Sequence, residues 1–308
     1  MKSILALDVG GTHIRSAWVS KGELRGDARV RADLTGLAAS AGKAAEDAVL
    51  GALVDHIRGR LGEGRAEAVA LGMPGFINGA GVIAASPNLP GLTDLPLQRL
   101  LAAELGVPVA VANDGLCAAR GAWLLEDPRP RSLAIVALGT GVGGGLILAG
   151  RPVAGDGGTA MEIGHLVMVP DGHPCGCGKR GCLEQYASAP ALKRIDAERG
   201  GGGRGGKALA AAAEKGDEGA AAIYSSAGAY LGRAVATLVL LVDVRTVRIG
   251  GGLSRSWNLF SAALEESLDA HLIPPLRGLI DVAPVSPAEI DRIGLSGAAD
   301  LAKAADPS

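Results

Sequence analysis

One pattern occurs twice in this 308-residue chain and narrows what it can fold into: an apolar strand, a glycine-rich turn carrying a threonine, and a second strand. The first copy is residues 3–7 running into Asp8-Val9-Gly10-Gly11-Thr12, with a β-rich stretch at 14–20, a Lys21-Gly22 turn and a third strand at 24–31. The second copy is 132–138 running into Gly139-Thr140-Gly141-Val142-Gly143-Gly144-Gly145, with a strand at 146–149. Spaced self-similarity of this kind points to a duplicated domain. The glycines let backbone N–H groups approach phosphate oxygens, and Thr12 adds a hydroxyl donor. Asp8 sits where a hydrated magnesium ion needs an oxygen partner. Either turn alone reads equally well as an ordinary hairpin. Two copies facing each other across a cleft would hold opposite sides of a nucleoside triphosphate. Neither is a Walker A loop, because no Gly-Lys-Ser/Thr follows.

Strands and helices continue between and after the copies. An amphipathic helix is expected at 44–61, a strand at 66–71 entering Met73-Pro74-Gly75, and a hairpin turning near Asn78-Gly79. Residues 86–91 form a rigid loop whose one amide side chain is Asn88. After a helix at 97–105, a strand at 109–112 stops at Asn113-Asp114. Polar residues just past the carboxyl end of a buried strand lie where α/β sheets put their ligands, so Asp114 is a candidate general base. N-cap of the following helix, 115–125, is a compatible second role for it. Residues 200–206 read as a mobile low-complexity loop. Helices follow at 208–214 and 218–242, and a strand at 245–249 enters Gly250-Gly251-Gly252. That triple glycine either lets a flat adenine or ribose lie against the backbone or simply makes a tight turn. A helix at 256–270, a strand at 279–283 and a helix at 296–305 complete the chain.

Residues 162–184 hold three of the four cysteines, Cys175, Cys177 and Cys182, with His165 ten positions ahead of the first. Three thiolates and an imidazole are a complete tetrahedral zinc set. Glu162 and Glu184 flank it and are not needed to complete it. The stretch therefore reads as a zinc-folded knob that aims acidic and imidazole side chains into a substrate site. Cys117 stands apart and reads as a small buried apolar residue.

At 308 residues the chain has room for two domains with real cores. With aromatics at 3 %, those cores must be built from Ala, Val, Leu and Ile. A formal charge of −2 and no long basic run argue against a nucleic-acid partner. Asp8 interrupts the N-terminal apolar run too soon for a signal peptide. No apolar run is expected to reach the roughly 18 residues of a membrane span. Clustered cysteines without a secretory signal favour metal over disulfides, and the expected compartment is the cytoplasm.

Asp8-x-Gly10-Gly11-Thr12-x-x-Arg15, Asn113-Asp114, Gly139-Thr140-Gly141-x-Gly143-Gly144-Gly145, Glu162-Ile163-Gly164-His165 and Cys175-x-Cys177-Gly178-x-x-Gly181-Cys182-x-Glu184 occur here in one order. In that order they resemble the ROK family of bacterial sugar kinases and sugar-responsive repressors, from Ala6 to about Gly252. The resemblance implies the actin-like, ribonuclease H-like duplicated α/β fold, with two domains around a cleft. It implies a small N-terminal domain of residues 1–114 plus 292–308 and a larger one of 115–291 carrying the knob. It places ATP phosphates between Asp8, Gly10, Gly11, Thr12 and the second turn with Gly139, Thr140, Gly141 and Gly143, and adenosine near Gly250, Gly251 and Gly252. Asp114 is implied as the base that takes a proton from the sugar 6-hydroxyl, which then attacks the γ-phosphate. Gly75, Asn88, Asn113, Asp114, Glu162, His165 and Glu184 are the implied sugar contacts. His165, Cys175, Cys177 and Cys182 are the implied ligands of a structural zinc. A metal-bound imidazole still presents its other ring N–H to a substrate oxygen or a carboxylate.

The sequence departs from the family at Met161, where its kinases commonly have Gly. Leu92 stands where many glucokinases have Trp, and Gly115-Leu116 replaces Ala-Asn after the catalytic Asp. These departures adjoin the sugar loops and bear on the sugar, not on the reaction. The expected activity is ATP- and magnesium-dependent phosphorylation of glucose to glucose 6-phosphate. N-acetylmannosamine, N-acetylglucosamine, fructose and allose are the alternative substrates. A non-catalytic sugar sensor is the second class, but family repressors carry an N-terminal helix-turn-helix domain for which there is no room before Asp8. A structural zinc protein without activity would leave the two glycine turns unexplained. The expected partners are sugar and ATP, with no membrane, and the expected assembly is a homodimer or homotetramer.

Overall fold

The computed structural model describes residues 3–40, 42–64 and 66–304. Residues 1–2, 41, 65 and 305–308 of the expected small domain lie outside them, 305 being also the end of the expected last helix.

The elements are β1 (Ile4–Val9), β2 (His13–Ser20), β3 (Glu23–Arg31), α1 (Leu34–Leu37), α2 (Lys43–Leu61), β4 (Ala68–Met73), β5 (Phe76–Ile77) and β6 (Ile83–Ala85). They continue as β7 (Thr93–Leu95), α3 (Leu97–Leu105), β8 (Val109–Asn113), α4 (Asp114–Leu125), β9 (Leu133–Leu138), β10 (Val142–Leu148) and β11 (Arg151–Pro152). Then follow α5 (Glu184–Ala187), α6 (Ala189–Glu198), α7 (Gly206–Glu214), α8 (Glu218–Val242), β12 (Thr246–Gly250), α9 (Ser261–His271), β13 (Asp281–Pro284) and α10 (Ile293–Ala304).

The duplication expected from the sequence is visible in the strand order. One five-stranded sheet runs β3-β2-β1-β4-β8 and a second runs β11-β10-β9-β12-β13. Numbered within each copy, both are 3-2-1-4-5. In each, the second and third strands are antiparallel and the first, fourth and fifth are parallel. A small sheet, β5-β6-β7, accompanies the first copy.

The chain divides into two compact units: unit 1 is Met1–Pro130, Gly145–Ala160 and Asp291–Ser308, and unit 2 is Arg131–Gly144 and Met161–Ile290. In unit 1, β1 is apolar from Ile4 to Leu7 because both of its faces are covered there. Leu5, Leu7 and Val9 pack with Val49, Leu53 and Ile57 of α2 and Leu97 and Leu101 of α3. Ile4 and Ala6 point the other way and join Cys117 of α4 and Leu295, Ala298, Ala299 and Ala302 of α10. Cys117 is fully buried, as expected.

In unit 2, α8 is capped by the Asp217 carboxylate, which accepts from Ala220 N, and it ends where Asp243 turns left-handed at φ +50°. It packs along α9, with Ser267 Oγ donating to Ala229 O at 2.7 Å. By length and composition α8 is apolar enough to cross a membrane, contrary to the expectation that no such run exists. Half of its most apolar window is buried within the protein, because it is the spine of this unit's helical layer.

Two further expectations change. The single helix at 256–270 is instead a 3-10 segment, Gly252–Leu259, followed by α9, the break falling at Phe260. The glycine-rich 200–206 loop is tied down. Arg204 donates from its backbone N and its guanidinium to buried Asp196 and also grips Asp217 at 2.6 Å.

Candidate active site

Unit 1 carries the first glycine turn. β1 and β2 pair in a register that sets Asp8 opposite Arg15. Gly10 N donates to His13 O at 2.8 Å to close the turn, and the Thr12 hydroxyl lies 3.0 Å from His13 Nδ1. Thr35 N donates to Gly11 O at 2.8 Å, and the Thr35 hydroxyl reaches both Gly11 O and Asn88 O, at 3.2 and 3.3 Å. One threonine thus fastens the turn to the Asn88 loop. Arg15 lies 3.6 Å from the Asp8 carboxylate and 2.8 Å from that of Asp291. Burial pushes the Asp8 carboxyl up, Arg15 opposes the rise and Asp291 adds to it.

Asp114 begins α4 directly after β8. The capping role considered for it falls to Asn113, whose Oδ1 accepts from Leu116 N at 3.0 Å. Asn113 Nδ2 donates to Gly75 O at 3.0 Å, which fixes the loop after β4 against the end of β8. Gly75 has φ +127°, and a Cβ there would meet Ala85 O at 2.8 Å, so only glycine fits. Asp114 Oδ1 accepts from Gly115 N at 2.8 Å, in the first turn of α4. Cys117, one turn on, has its thiol pushed well up by burial and by the nearby charges of Asp114 and Asp8.

Unit 2 carries the second turn and the knob. The sequence reading had Gly143, Gly144 and Gly145 in a turn; they lie inside β10, and none has a left-handed φ. Backbone crowds the last two: a Cβ on Gly144 would meet Met161 O at 2.8 Å, and one on Gly145 would strike Gly115 O, whereas one on Gly143 would meet nothing within 4 Å. At the third glycine site, Gly251 is left-handed, φ +79°, and a Cβ there would lie 2.7 Å from Leu138 N, so it serves a tight turn against the end of β9.

The turn proper is Gly139-Thr140-Gly141, closed by Gly139 N donating to Gly141 O at 2.9 Å. Glu184, the first residue of α5, reaches it: Oε2 accepts from Val142 N at 3.2 Å, and Oε1 is 4.0 Å from Cys175 Sγ.

The knob is shaped by short bridges between Val167 and Cys182 and between Pro174 and Arg180, with left-handed glycines at Gly178 and Gly181. His165, Cys175, Cys177 and Cys182 bring their ligand atoms within 4.8 Å of one another. Cys175 Sγ to His165 Nδ1 is 3.7 Å and Cys177 Sγ to Cys182 Sγ is 3.6 Å. Ligands about 2.3 Å from a tetrahedral ion stand about 3.8 Å apart, so the set fits zinc in spacing and donor type. Burial and the neighbouring sulfurs push the Cys182 thiol up to about 12. His165 offers Nδ1 to this set and turns Nε2 toward Glu162 Oε2, 3.8 Å away. Burial raises the Glu162 carboxyl, His165 lowers it and Glu184 raises it. Met161, just before Glu162, is left-handed at φ +68°, a conformation that suits glycine and strains a side-chain-bearing residue.

Thr35 and Asp291 do not stand out in the sequence, and there Arg15 carries no role of its own. Arg15 was legible: in a hairpin that pairs Val9 with Ile14, residue 15 must face residue 8. Thr35 and Asp291 carry no local signal, since their partners are 24 or more residues away.

A duplicated 3-2-1-4-5 α/β fold with two glycine turns, a carboxylate at a strand end and a Cys3His knob defines a sugar-kinase type of actin-like ATPase. The ROK family profile matches residues 4–305, and the chain belongs to the ROK family. It is 32 % identical over 324 residues to a glucokinase of Streptomyces coelicolor, covering 98 % of each protein. It is 32 % identical over 250 residues to an N-acetylmannosamine kinase of Escherichia coli O1:K1 / APEC, covering 81 % of this chain and 82 % of that one. The crystal structure of a ROK family glucokinase from Streptomyces griseus, in complex with glucose and AMPPNP, superposes with a TM-score of 0.82 at 29 % identity, covering 98 % and 99 % of the two chains. The actin-like α/β fold expected from the sequence is the fold of this chain.

Proposed function

We propose that this ROK sugar kinase transfers the γ-phosphoryl group of ATP to the 6-hydroxyl of a hexose, with glucose as the substrate. The observation that carries the reading is the division of labour at 113–114. Asn113 caps α4, and Asp114 stands beside it as the first residue of that helix, directly past the carboxyl end of β8, where α/β sheets put their ligands. Asp114 then takes the hydroxyl proton as the oxygen attacks phosphorus, a reaction that otherwise needs mainly positioning and charge neutralisation.

Unit 1 supplies Asp114, Asn88, Asn113 and Gly75 toward the sugar and Asp8, Gly10, Gly11 and Thr12 toward phosphate. Unit 2 supplies Glu162, His165 and Glu184 toward the sugar, Gly139, Thr140, Gly141 and Gly143 toward phosphate, and 250–252 toward adenosine. Asp8 is the side chain that would hold hydrated magnesium, which neutralises phosphate charge when bound. His165, Cys175, Cys177 and Cys182 would hold structural zinc. The knob residues keep Glu184 and Glu162 in place and take no part in phosphoryl transfer. Reduced thiols and ATP use suit the cytoplasm, and a homodimer or homotetramer is the proposed assembly.

A coupled ADP-release assay across glucose, N-acetylmannosamine, N-acetylglucosamine, fructose, mannose and allose tests this. Glucose is expected to give the highest kcat/KM. Turnover of no sugar above an Asp114→Asn control would sink the proposed reaction. A higher kcat/KM for N-acetylmannosamine would replace glucose with the substrate named for the second relative.

A further inference from the structure

We propose that unit 2 carries a second ligand site, behind the cysteine–histidine knob, that takes a phosphomonoester borne on a ring. A cavity of about 440 Å³ is lined by His173, Arg180, Tyr186, Arg194, Arg199 and Tyr230, a volume that suits a small metabolite. Its arginines, Arg180, Arg194 and Arg199, outnumber its carboxylates by one. Two carboxylates, Asp171 and Glu198, also line it, and Glu198 is already matched by Arg194 at 2.8 Å. Arg194 is held further by the Gln185 carbonyl at 2.6 Å. Among the described residues Arg180 uses only Nε, on Asp171 O at 3.4 Å. The Arg199 guanidinium has no partner among the described residues. Guanidinium forks with open donors in a concave site match phosphate oxygens bidentately.

The tyrosines of the lining select a ring. Tyr186 and Tyr230 lie with centroids 4.8 Å apart, tilted at 42°, and the Tyr186 hydroxyl accepts from His173 N at 3.0 Å. A pair of phenol rings beside arginines offers an aromatic face to a sugar or a base, which bare phosphate would leave unused.

The pocket shares backbone with the proposed sugar contacts. Tyr186 is the third residue of α5, whose first is Glu184. Pro174 and Arg180 are bridge partners on either side of Cys175 and Cys177. Filling the pocket pulls on the segments that carry Glu184 and Cys175 and so changes sugar affinity. That consequence rests on the proposed kinase reading; the binding itself does not.

Calorimetric titration of the full chain with inorganic phosphate, glucose 6-phosphate and AMP, under saturating glucose and AMPPNP, tests the site. At least one ring-bearing phosphate is expected to bind more tightly than inorganic phosphate, and the tighter of the two identifies the ring. Arg199→Ala and Tyr230→Ala, each with the parental melting temperature, are expected to weaken that binding by about tenfold or more. No binding by any probe at millimolar concentration overturns the site, as does binding that glucose and AMPPNP abolish or that Arg199→Ala leaves unchanged. Equal affinity for inorganic phosphate overturns the ring. If glucose and AMPPNP themselves do not bind, the kinase reading fails, while the pocket still stands or falls on Arg199→Ala.

Discussion

Glu184 accepts the Val142 N–H at 3.2 Å through one carboxylate oxygen and brings the other within 4.0 Å of Cys175 Sγ. A single side chain therefore joins the second glycine turn to the cysteine knob within unit 2. This gives the glycine at 141 a reason beyond backbone freedom, because a Cβ there would fall 2.5 Å from Glu184 Oε2.

Gly141→Ala should push Glu184 aside and raise the sugar KM by about tenfold, the scale on which a displaced positioning group is felt. Gly59→Ala, inside α2 and outside the proposed site, is the control, since its Cβ meets nothing within 4 Å, and it should stay within about twofold of the parent. Steady-state kinetics with sugar and ATP varied separately decides the matter. Equal rises in both KM values would disconnect Glu184 from the sugar.

Asp114→Asn should lower kcat by about 10²-fold or more while the helical circular dichroism is unchanged, because the cap belongs to Asn113. Asn113→Ala should do the reverse in stability, costing about 1–2 kcal/mol in a urea titration. A large stability loss in Asp114→Asn would show that the carboxylate is structural.

Protein purified without chelator should contain near-stoichiometric zinc by elemental analysis. Cys177 is exposed, so Cys177→Ser should weaken zinc retention with limited damage to packing. Sugar affinity should fall more than ATP affinity. A metal-free yet fully active protein would remove the knob's proposed role.

His56 is half-buried, with Nε2 3.2 Å from Ser16 Oγ. Burial first, and then the charge of Arg60, lower its pKa, with Glu63 opposing. The unfolded chain therefore binds this proton more readily than the folded one, so the stabilising share is full above about pH 6.5 and is lost as pH falls below it. Melting temperatures from pH 8 down to about pH 5 should decline less in His56→Gln than in the parent. Parallel curves would assign the acid sensitivity to other groups.

Much of the fold was legible because it rests on local periodicity. The reading of residues 218–242 as one helix has the bounds of α8, and the doubled strand–turn–strand pattern anticipates two sheets of one strand order. The knob was legible because its potential ligands are close in sequence. What escaped was set by distant backbone. Gly144 and Gly145 look like turn residues until Met161 O and Gly115 O are seen beside them. The left-handed φ of Met161 likewise follows from no propensity of methionine.

α10, which covers one face of the first sheet, is made after every other element described. Ile4, Ala6, Ala17 and Ala70 are closed over by Leu295, Ala298, Ala299 and Ala302 of α10. During synthesis, at about 5–20 residues per second, that apolar face waits on the order of ten seconds after unit 1's first 130 residues have emerged. Through that interval the nascent protein offers a ready surface to a chaperone, or to a neighbouring ribosome's identical product. How long that face stays open depends on how quickly the chain from residue 131 through α10 is made.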